Sequence, residues 1–138
     1  MLFRSIEALG IVLADSRRAL RVLETFHPPT YYLPPEDVRT DLLQVGAGRS
    51  FCEWKGVACY WTLQVGERRL NGAIWSYPTP TPAFAALAGW LAFYPAAMDG
   101  CWVNGEAVVP QPGGFYGGWI TSRVQGPFKG DPQCPWLI

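Results

Sequence analysis

Lys55 and Gly56 interrupt a strand-like run of residues between Trp54 and Tyr60. A lysine followed by a flexible residue can direct its ammonium group into an aromatic recess, where it would bind an anionic ligand as a compact point charge. The same pattern is also typical of a plain bulge or turn that leaves the lysine in water. Lys55 is therefore the first candidate for a polar anchor, and an exposed turn is the alternative.

Cys52 and Glu53 stand close enough to Lys55 in the sequence to act with it. A nearby cation can stabilise a thiolate and so make Cys52 nucleophilic, and Glu53 or Glu24 could transfer protons as a general acid or base. The catalytic candidates are thus Lys55, Cys52 and Glu53. A buried and unreactive Cys52 on a strand is the alternative interpretation.

Arginines cluster at a predicted hairpin, where Arg17, Arg18 and Arg21 precede Glu24. Arg21 shares a strand face with Leu23, so it could pair with an acid inside a pocket or bind a carboxylate or phosphate through two parallel hydrogen bonds. A solvated hairpin with local charge pairs is the alternative. Arg21 and Glu24 are therefore candidates for ligand binding beside Lys55.

Aromatic residues are the most informative excess in this sequence, which has 7 Trp, 6 Tyr and 7 Phe. Their rings could wall a recess that stacks a planar ligand, with tyrosine and tryptophan donors fixing its orientation. They could also fill the interior of a small β domain, and we expect roughly half of them to do so. The candidates for the wall are Tyr31, Tyr32, Trp54, Tyr60, Trp61, Trp75, Tyr77, Phe93, Tyr94 and Trp119.

The composition excludes several classes of protein. A chain of 138 residues is expected to form one domain, and 16% charged residues with so many aromatic rings does not fit a disordered protein. Eleven basic residues balance eleven acidic ones, so we expect neither nucleic acid nor a membrane as partner. The sequence has no apolar run of about 18 residues and no signal-peptide pattern, so we expect a cytoplasmic protein.

The cysteines do not predict a metal centre. Cys52, Cys59, Cys101 and Cys134 form no C-x-x-C pair, and the single histidine, His27, cannot complete a zinc set at the usual spacing. No glycine-rich phosphate loop follows a strand and opens a helix. We therefore predict no metal and no cofactor, with the cysteines reduced.

Alternating apolar residues and turn signals predict mostly short strands. Residues 10–14 and 19–25 are predicted to pair as an antiparallel hairpin. Residues 27–35 hold four prolines, which predicts an extended segment outside any central strand. Residues 35–43 begin with a proline and two acids, which predicts one short helix ended by residues 45–48.

The centre and the C-terminal half carry the clearest hairpin signals. Residues 57–65 and 70–77 flank a turn, and Asn104-Gly105 is a strong hairpin turn between two short apolar runs. Further predicted elements are a strand at 51–54, a short helix at 83–88 after a proline-rich link at 78–82, a strand at 91–94, and a strand or arm at 119–124 that packs on the body. The predicted fold is mainly β, with two packed antiparallel sheets and one or two short helices.

The run CEWKGVACYW at 52–61 resembles domain-of-unknown-function family 427. HPPTYY with PPEDV upstream, and AIWSYP and AFY downstream, occur in the order of that family. The resemblance covers about residues 10 to 130. The tail from Gly113 to Ser122 and from Gly126 to Gly130 is similar to an extension of cyanobacterial-type members.

The resemblance implies a β-tent, a small antiparallel β domain in which two sheets lean together over a pocket. It implies one domain over residues 1–138, with a family core at about 10–109 and an ordered C-terminal arm at 110–138. Related tents hold zinc through two C-x-x-C pairs, which this sequence lacks. Some classifications give the family a nucleotidyltransferase-like label, but no motif in this chain supports that chemistry.

Three functions fit these observations. The first is a small-molecule-binding domain with an aromatic pocket in which Lys55, Arg21 or Glu24 is the polar anchor. The second is an enzyme that uses Lys55, Cys52 and Glu53 on an anionic or nucleotide-like substrate. The third is an interaction module, in which the aromatic residues of the tail form an interface within a homo-oligomer.

Overall fold

A computed structural model of the chain describes residues 3–24, 26–112, 116–124, 126 and 128–129. The predicted arm at 110–138 is therefore described only in part, and its remaining residues, including Cys134, lie outside the described ranges. Cys52, Cys59 and Cys101 are free thiols.

The fold is mainly β. Over the described ranges the strands are β1 (Arg4–Ala8), β2 (Ile11–Ser16), β3 (Leu20–Val22), β4 (Thr30–Leu33), β5 (Leu43–Cys52), β6 (Gly56–Val65), β7 (Arg68–Ser76), β8 (Leu91–Phe93), β9 (Gly100–Val103), β10 (Glu106–Ala107), β11 (Val109–Pro110) and β12 (Trp119–Ile120). Short 3₁₀ helices form at Pro35–Asp37, Thr40–Leu42, Pro82–Leu87 and Pro95–Ala97.

The strands form antiparallel sheets, as predicted. One sheet has four strands in the order β10-β9-β1-β2, and the other has six in the order β3-β4-β8-β7-β6-β5. β11 and β12 make a separate two-stranded ribbon. The ribbon confirms that the segment at 119–124 begins as a strand, since Trp119 pairs with Pro110.

The tight turns follow the expected chemistry. β6 and β7 form the predicted hairpin, with Gly66-Glu67 between them. β9 and β10 form the second, and Asn104 and Gly105 have φ of 52° and 82°, as a type I′ turn requires. Leu9 and Gly10 have φ of 49° and 81°, and they join β2 to β1, a strand that the sequence interpretation overlooked.

The predicted hairpin between residues 10–14 and 19–25 is wrong. β2 pairs with β1, whereas β3 pairs with β4, so the two predicted arms belong to different sheets. The reason is that Ile6 and Ala8 of β1 bury the same apolar face as Leu13 of β2. β1 therefore provides the better partner, and residues 17–19 carry the chain across to the larger sheet.

The prediction that residues 27–35 form no central strand is also wrong. β4 lies between β3 and β8 within the six-stranded sheet. Pro28 and Pro29 precede the strand and Pro34 follows it. The prolines thus flank the hydrogen-bonded ladder without entering it, which is where a sheet tolerates them.

Residues 35–43 do not form one helix. Two separate 3₁₀ turns occur there, and residues 45–48 lie within β5 instead of ending a helix. Between the turns, Val38 makes a β-bridge to Ala14 and Arg39 N–H donates to the carbonyl oxygen of Leu13 at 2.9 Å. These contacts with β2 hold the backbone extended at the point where a helix would have continued.

The main apolar core lies between the two large sheets. Ile6, Leu13 and Cys101 enter it from the smaller sheet, and Leu63, Ile74 and Phe93 enter it from the larger one. Tyr31 and Trp119 complete it, with ring centroids 5.1 Å apart in an edge-to-face arrangement. The space that the family resemblance assigned to a pocket is therefore filled. No helix in the described part of the chain is long and apolar enough to cross a membrane.

Candidate functional site

A cavity of about 200 Å³ opens on the outer face of the six-stranded sheet, away from the core between the sheets. Its aromatic lining consists of Tyr32, Tyr60, Trp75, Tyr77, Tyr94 and Tyr116. Polar groups reach it from Glu24, His27, Thr30, Ser50, Lys55 and Gln111. We call this space the inner cavity.

Strand register places three of these rings, those of Tyr32, Tyr60 and Trp75, on one face of the sheet. Tyr60 pairs with Trp75, Trp75 pairs with Ala92, and Ala92 pairs with Tyr32. Residues that pair directly across strands point to the same side of a sheet. Because Ala92 is small, it leaves room between the large rings of Trp75 and Tyr32.

The rings hold one another in fixed orientations. The Trp75 and Tyr94 ring centroids are 4.5 Å apart with a 43° angle between planes. Tyr32 stands nearly perpendicular to Trp75, and Trp75 Nε1 donates to the Tyr32 hydroxyl at 3.3 Å. The hydroxyls of Tyr60 and Ser50 share a hydrogen bond of 2.7 Å. The wall is thus an ordered aromatic surface with polar atoms at its edges.

Burial keeps several of these tyrosines neutral. It raises the pKa of Tyr94 to about 12, and it raises the pKa of Tyr32 and of Tyr77 well above the ordinary value. Near neutral pH the three side chains are therefore hydroxyls, which can donate as well as accept hydrogen bonds.

Lys55 is directed inward by the turn that contains it. β5 ends at Cys52, so the strand predicted at 51–54 is shorter than expected, and β6 begins at Gly56 with φ of 108°. Thr81 N–H donates to the carbonyl oxygen of Lys55 at 3.0 Å, and the Thr81 hydroxyl donates to the carbonyl oxygen of Trp54. The proline-rich link thus packs over the turn, and the Lys55 side chain is buried, at 8% exposure.

The Lys55 ammonium has one charged partner among the described residues. Its Nζ lies 2.5 Å from Oε1 of Glu24 and 3.9 Å from Sγ of Cys52. It also lies 5.9 Å from the ring centroid of Tyr77 and 5.7 Å from that of Phe84, within the range of a cation–π contact. The arrangement is a buried cation surrounded by aromatic rings.

The two members of this ion pair are very unequally buried. The Lys55 side chain is 8% exposed, whereas the Glu24 side chain is 47% exposed. Glu24 therefore reaches the ammonium from the solvent side.

A second space of about 410 Å³ lies on the other side of the ion pair, and we call it the outer cavity. Val22, Glu24, His27 and Lys55 line both spaces. Leu23, Trp54, Phe84 and Lys129 line the outer cavity alone. The Lys55–Glu24 pair therefore stands at the boundary between the two.

The C-terminal arm closes one side of the inner cavity. Buried Gln111 donates from Nε2 to Nδ1 of His27 and to the carbonyl oxygen of Lys129, each at 2.9 Å. The His27 ring packs against the edge of Tyr116, with centroids 5.1 Å apart. These contacts tie the arm to the segment that carries Glu24.

The structure brings most of the predicted binding residues together. Glu24, Tyr32, Lys55, Tyr60, Trp75, Tyr77 and Tyr94 line the inner cavity. Trp54 lines the outer cavity and is 72% exposed. Tyr31 and Trp119 belong to the core between the sheets. Arg21 is exposed on β3 and lines neither cavity.

The remaining charged candidates lie apart from the cavities. Of the catalytic candidates, Cys52 is near the Lys55 ammonium, but Glu53 is exposed and lines neither cavity. Arg18 forms salt bridges with Glu36 and Asp37, and the Arg17 guanidinium stacks on the ring of Phe3.

Sequence reasoning missed a group of lining residues, namely His27, Ser50, Gln111, Tyr116 and Gly117. His27 is the single histidine of the chain, which was a usable signal. Gln111 and Gly117 carry no such signal in the sequence, because their positions in the cavity wall depend on how the arm folds back over the sheet.

The described residues contain no group of three or more His, Cys, Asp or Glu side chains placed to hold a metal ion. No curated protein matches this chain. A family model matches residues 4–104, which include β1 to β9 and the turn that carries Lys55. The chain belongs to the family described as a domain of unknown function, DUF427.

Proposed function

We propose that this chain binds a small molecule with a planar ring in the inner cavity, and that Lys55 is its polar anchor. The observation that supports this most strongly is the burial of the Lys55 ammonium beside ordered aromatic rings. A buried ammonium loses most of its hydration, and proteins rarely retain one without a specific partner. An exposed turn lysine would have no such environment.

The size of the cavity limits the ligand. Pockets for drug-sized ligands usually measure roughly 300–1,000 Å³, and the inner cavity has about 200 Å³. It therefore fits a single ring with one polar group better than a fused or extended molecule. The ring would lie against Trp75 and Tyr94, whose ring planes are tilted by 43° to each other and offer aromatic surface to a ligand.

Hydroxyls would orient the ligand. Tyr77 lines the cavity as a neutral donor, and Tyr32 accepts from Trp75 while its own proton remains available. A ligand with a hydrogen-bond acceptor opposite its charged group would pair with the Lys55 ammonium at one end of the cavity and accept from a tyrosine hydroxyl at the other.

A thermal-shift screen of single-ring compounds, followed by titration of the tryptophan fluorescence of the chain, tests the proposal. A ligand that binds only the folded state stabilises it more as its concentration rises above its Kd, so hits should raise the melting temperature of the wild type but not of Lys55→Met. Arg49→Met is the matched control, because exposed Arg49 on β5 bonds to the neighbouring carbonyl oxygen of Gly48. Absence of any hit in a broad panel would overturn the proposal.

An enzyme is the second candidate, supported by the 3.9 Å between Cys52 Sγ and Lys55 Nζ. Such a pair can supply a nucleophile with an adjacent cation. Turnover of a bound compound that is lost in Cys52→Ser, with binding retained, would establish it. A nucleotide would need space beyond the inner cavity, and Glu53 is exposed and lines neither cavity.

The third candidate is an interface formed by the aromatic residues of the tail, and one of those residues is not available for it. Trp119 is fully buried within its own chain and cannot contact a second copy. A molar mass by light scattering that stays monomeric at all concentrations would exclude this function.

A further inference from the structure

The Lys55–Glu24 pair lies at the boundary between the inner and the outer cavity. Val22, Glu24, His27 and Lys55 line both the inner and the outer cavity. Lys55 is held by the backbone contact of its turn with Thr81, whereas the Glu24 side chain is about half exposed. Movement of the Glu24 side chain toward solvent would join the two spaces into one of ordinary ligand-binding size.

The unequal burial decides which partner can leave. A buried ammonium needs a counter-charge, because its lost hydration is otherwise uncompensated. Glu24 keeps about half of its side-chain exposure even while paired, so it loses little by returning to water. A second carboxylate that also makes contacts with the aromatic wall would therefore compete with Glu24 for Lys55.

Charge balance also defines the ligand class. Among the described residues that line the inner cavity, Lys55 is the one lysine or arginine, and Gln111 Nε2 donates to Nδ1 of His27. One ammonium balances one negative charge. A carboxylate matches it, whereas a doubly charged phosphate would bring excess negative charge into a poorly hydrated space.

We propose that the ligand is an aryl carboxylate whose carboxyl group replaces that of Glu24 on Lys55, so that Glu24 is an internal competitor for the site. This inference rests on the function proposed above. The aryl ring lies in the inner cavity against Trp75 and Tyr94, and a substituent can extend past Glu24 toward Trp54 in the outer cavity. Glu24 keeps the ammonium paired when no ligand is bound.

Calorimetric titration with benzoate and with benzamide, its neutral analogue of the same shape, tests this directly. Wild type, Glu24→Gln, and the double variant Glu24→Gln with Lys55→Met are compared. Removing the competitor should strengthen benzoate binding by about tenfold or more and leave benzamide binding nearly unchanged. The double variant should lose the preference for benzoate.

The outcomes separate this inference from the broader function. If both compounds bind wild type and Glu24→Gln with equal affinity, the cavity binds rings but the carboxylate assignment is wrong. If neither compound binds although other ring compounds do, the ligand class is again wrong. If no ring compound binds at all, the proposed function fails as well. Should Glu24→Gln not fold, Glu24→Asp, which keeps the charge but shortens its reach, gives the same comparison and should also strengthen benzoate binding.

Discussion

Gly117 lies directly against the indole of Trp75, so close that a β-carbon at residue 117 would overlap Cη2 of the ring. Trp75 belongs to the region that the family model matches, residues 4–104, whereas Gly117 lies beyond it. The floor of the inner cavity thus comes from the family domain, and one wall comes from the arm that follows. The lack of a side chain at residue 117 is what allows the arm to approach.

Replacing Gly117 with alanine should loosen this wall. The added methyl group must displace either the arm or the Trp75 ring, and overpacking of this kind destabilises a protein by about 1–3 kcal/mol. We expect a lower urea midpoint and a shift in tryptophan fluorescence toward a more solvated environment. Both are measured in a single denaturation experiment.

Gly126→Ala is the matched control in the same arm. The nearest described atoms that a β-carbon at residue 126 would meet belong to Phe128, at an ordinary contact distance of 3.5 Å, so the urea midpoint of this variant should stay close to that of the wild type. Equal effects of the two substitutions would show that Gly117 is not packed on Trp75.

The two partners of the ion pair should differ in their contribution to stability. Glu24→Gln leaves the ammonium of Lys55 buried without a counter-charge, and an uncompensated buried group costs about 1–3 kcal/mol. Lys55→Met removes the charge and fills the space, and the half-exposed Glu24 returns to water. We expect its effect to be below about 1 kcal/mol.

Chemical denaturation of both variants checks this order at neutral pH. Arg49→Met again serves as the control, since Arg49 is exposed and forms no salt bridge among the described residues. A larger loss for Lys55→Met than for Glu24→Gln would mean that the ammonium is not buried as the structure indicates.

Local signals in the sequence predicted the local elements well. Asn104-Gly105 specified its hairpin because both residues tolerate positive φ, and the alternation at 57–65 and 70–77 specified the central pair of strands. The errors occurred where contacts between residues distant in sequence determine the local structure. Val38 and Arg39 contact β2, which breaks a helix that the local residues alone would favour.

The candidate site shows the same division. The spacing around Lys55 indicated a lysine within an aromatic region, and the structure places it there. Tyr31 and Tyr32 are adjacent in sequence, yet they point to opposite faces of β4, so one enters the core and the other the cavity. The sequence alternation could not predict which face of β4 is buried in the core and which lines the cavity. The reason is that β3 was predicted to pair with the wrong strand, so the sheet that contains β4 was not identified.

Burial should decide how residues of the larger sheet respond to truncation. Phe93 is fully buried between the sheets, and Phe93→Ala should destabilise the chain by about 3–5 kcal/mol. Phe51 on β5 is 72% exposed, and Phe51→Ala should stay within about 0.5 kcal/mol of the wild type. Urea denaturation measures both, and a small effect at Phe93 would show that the space between the sheets is not tightly filled.

Alkaline pH should unfold the chain through the tyrosines of the cavity. Burial raises the pKa of Tyr94 to about 12 and raises those of Tyr32 and Tyr77 as well, against about 10 in an unfolded chain. The unfolded chain therefore releases these protons first, so the stability they contribute is complete below about pH 10 and is lost as the pH rises toward about 12 and beyond. Melting temperatures and phenolate absorbance recorded across this range should change together, and Tyr94→Phe should make the decline shallower. Full ionisation of every tyrosine near pH 10 in a chain that remains folded would contradict the burial of these hydroxyls.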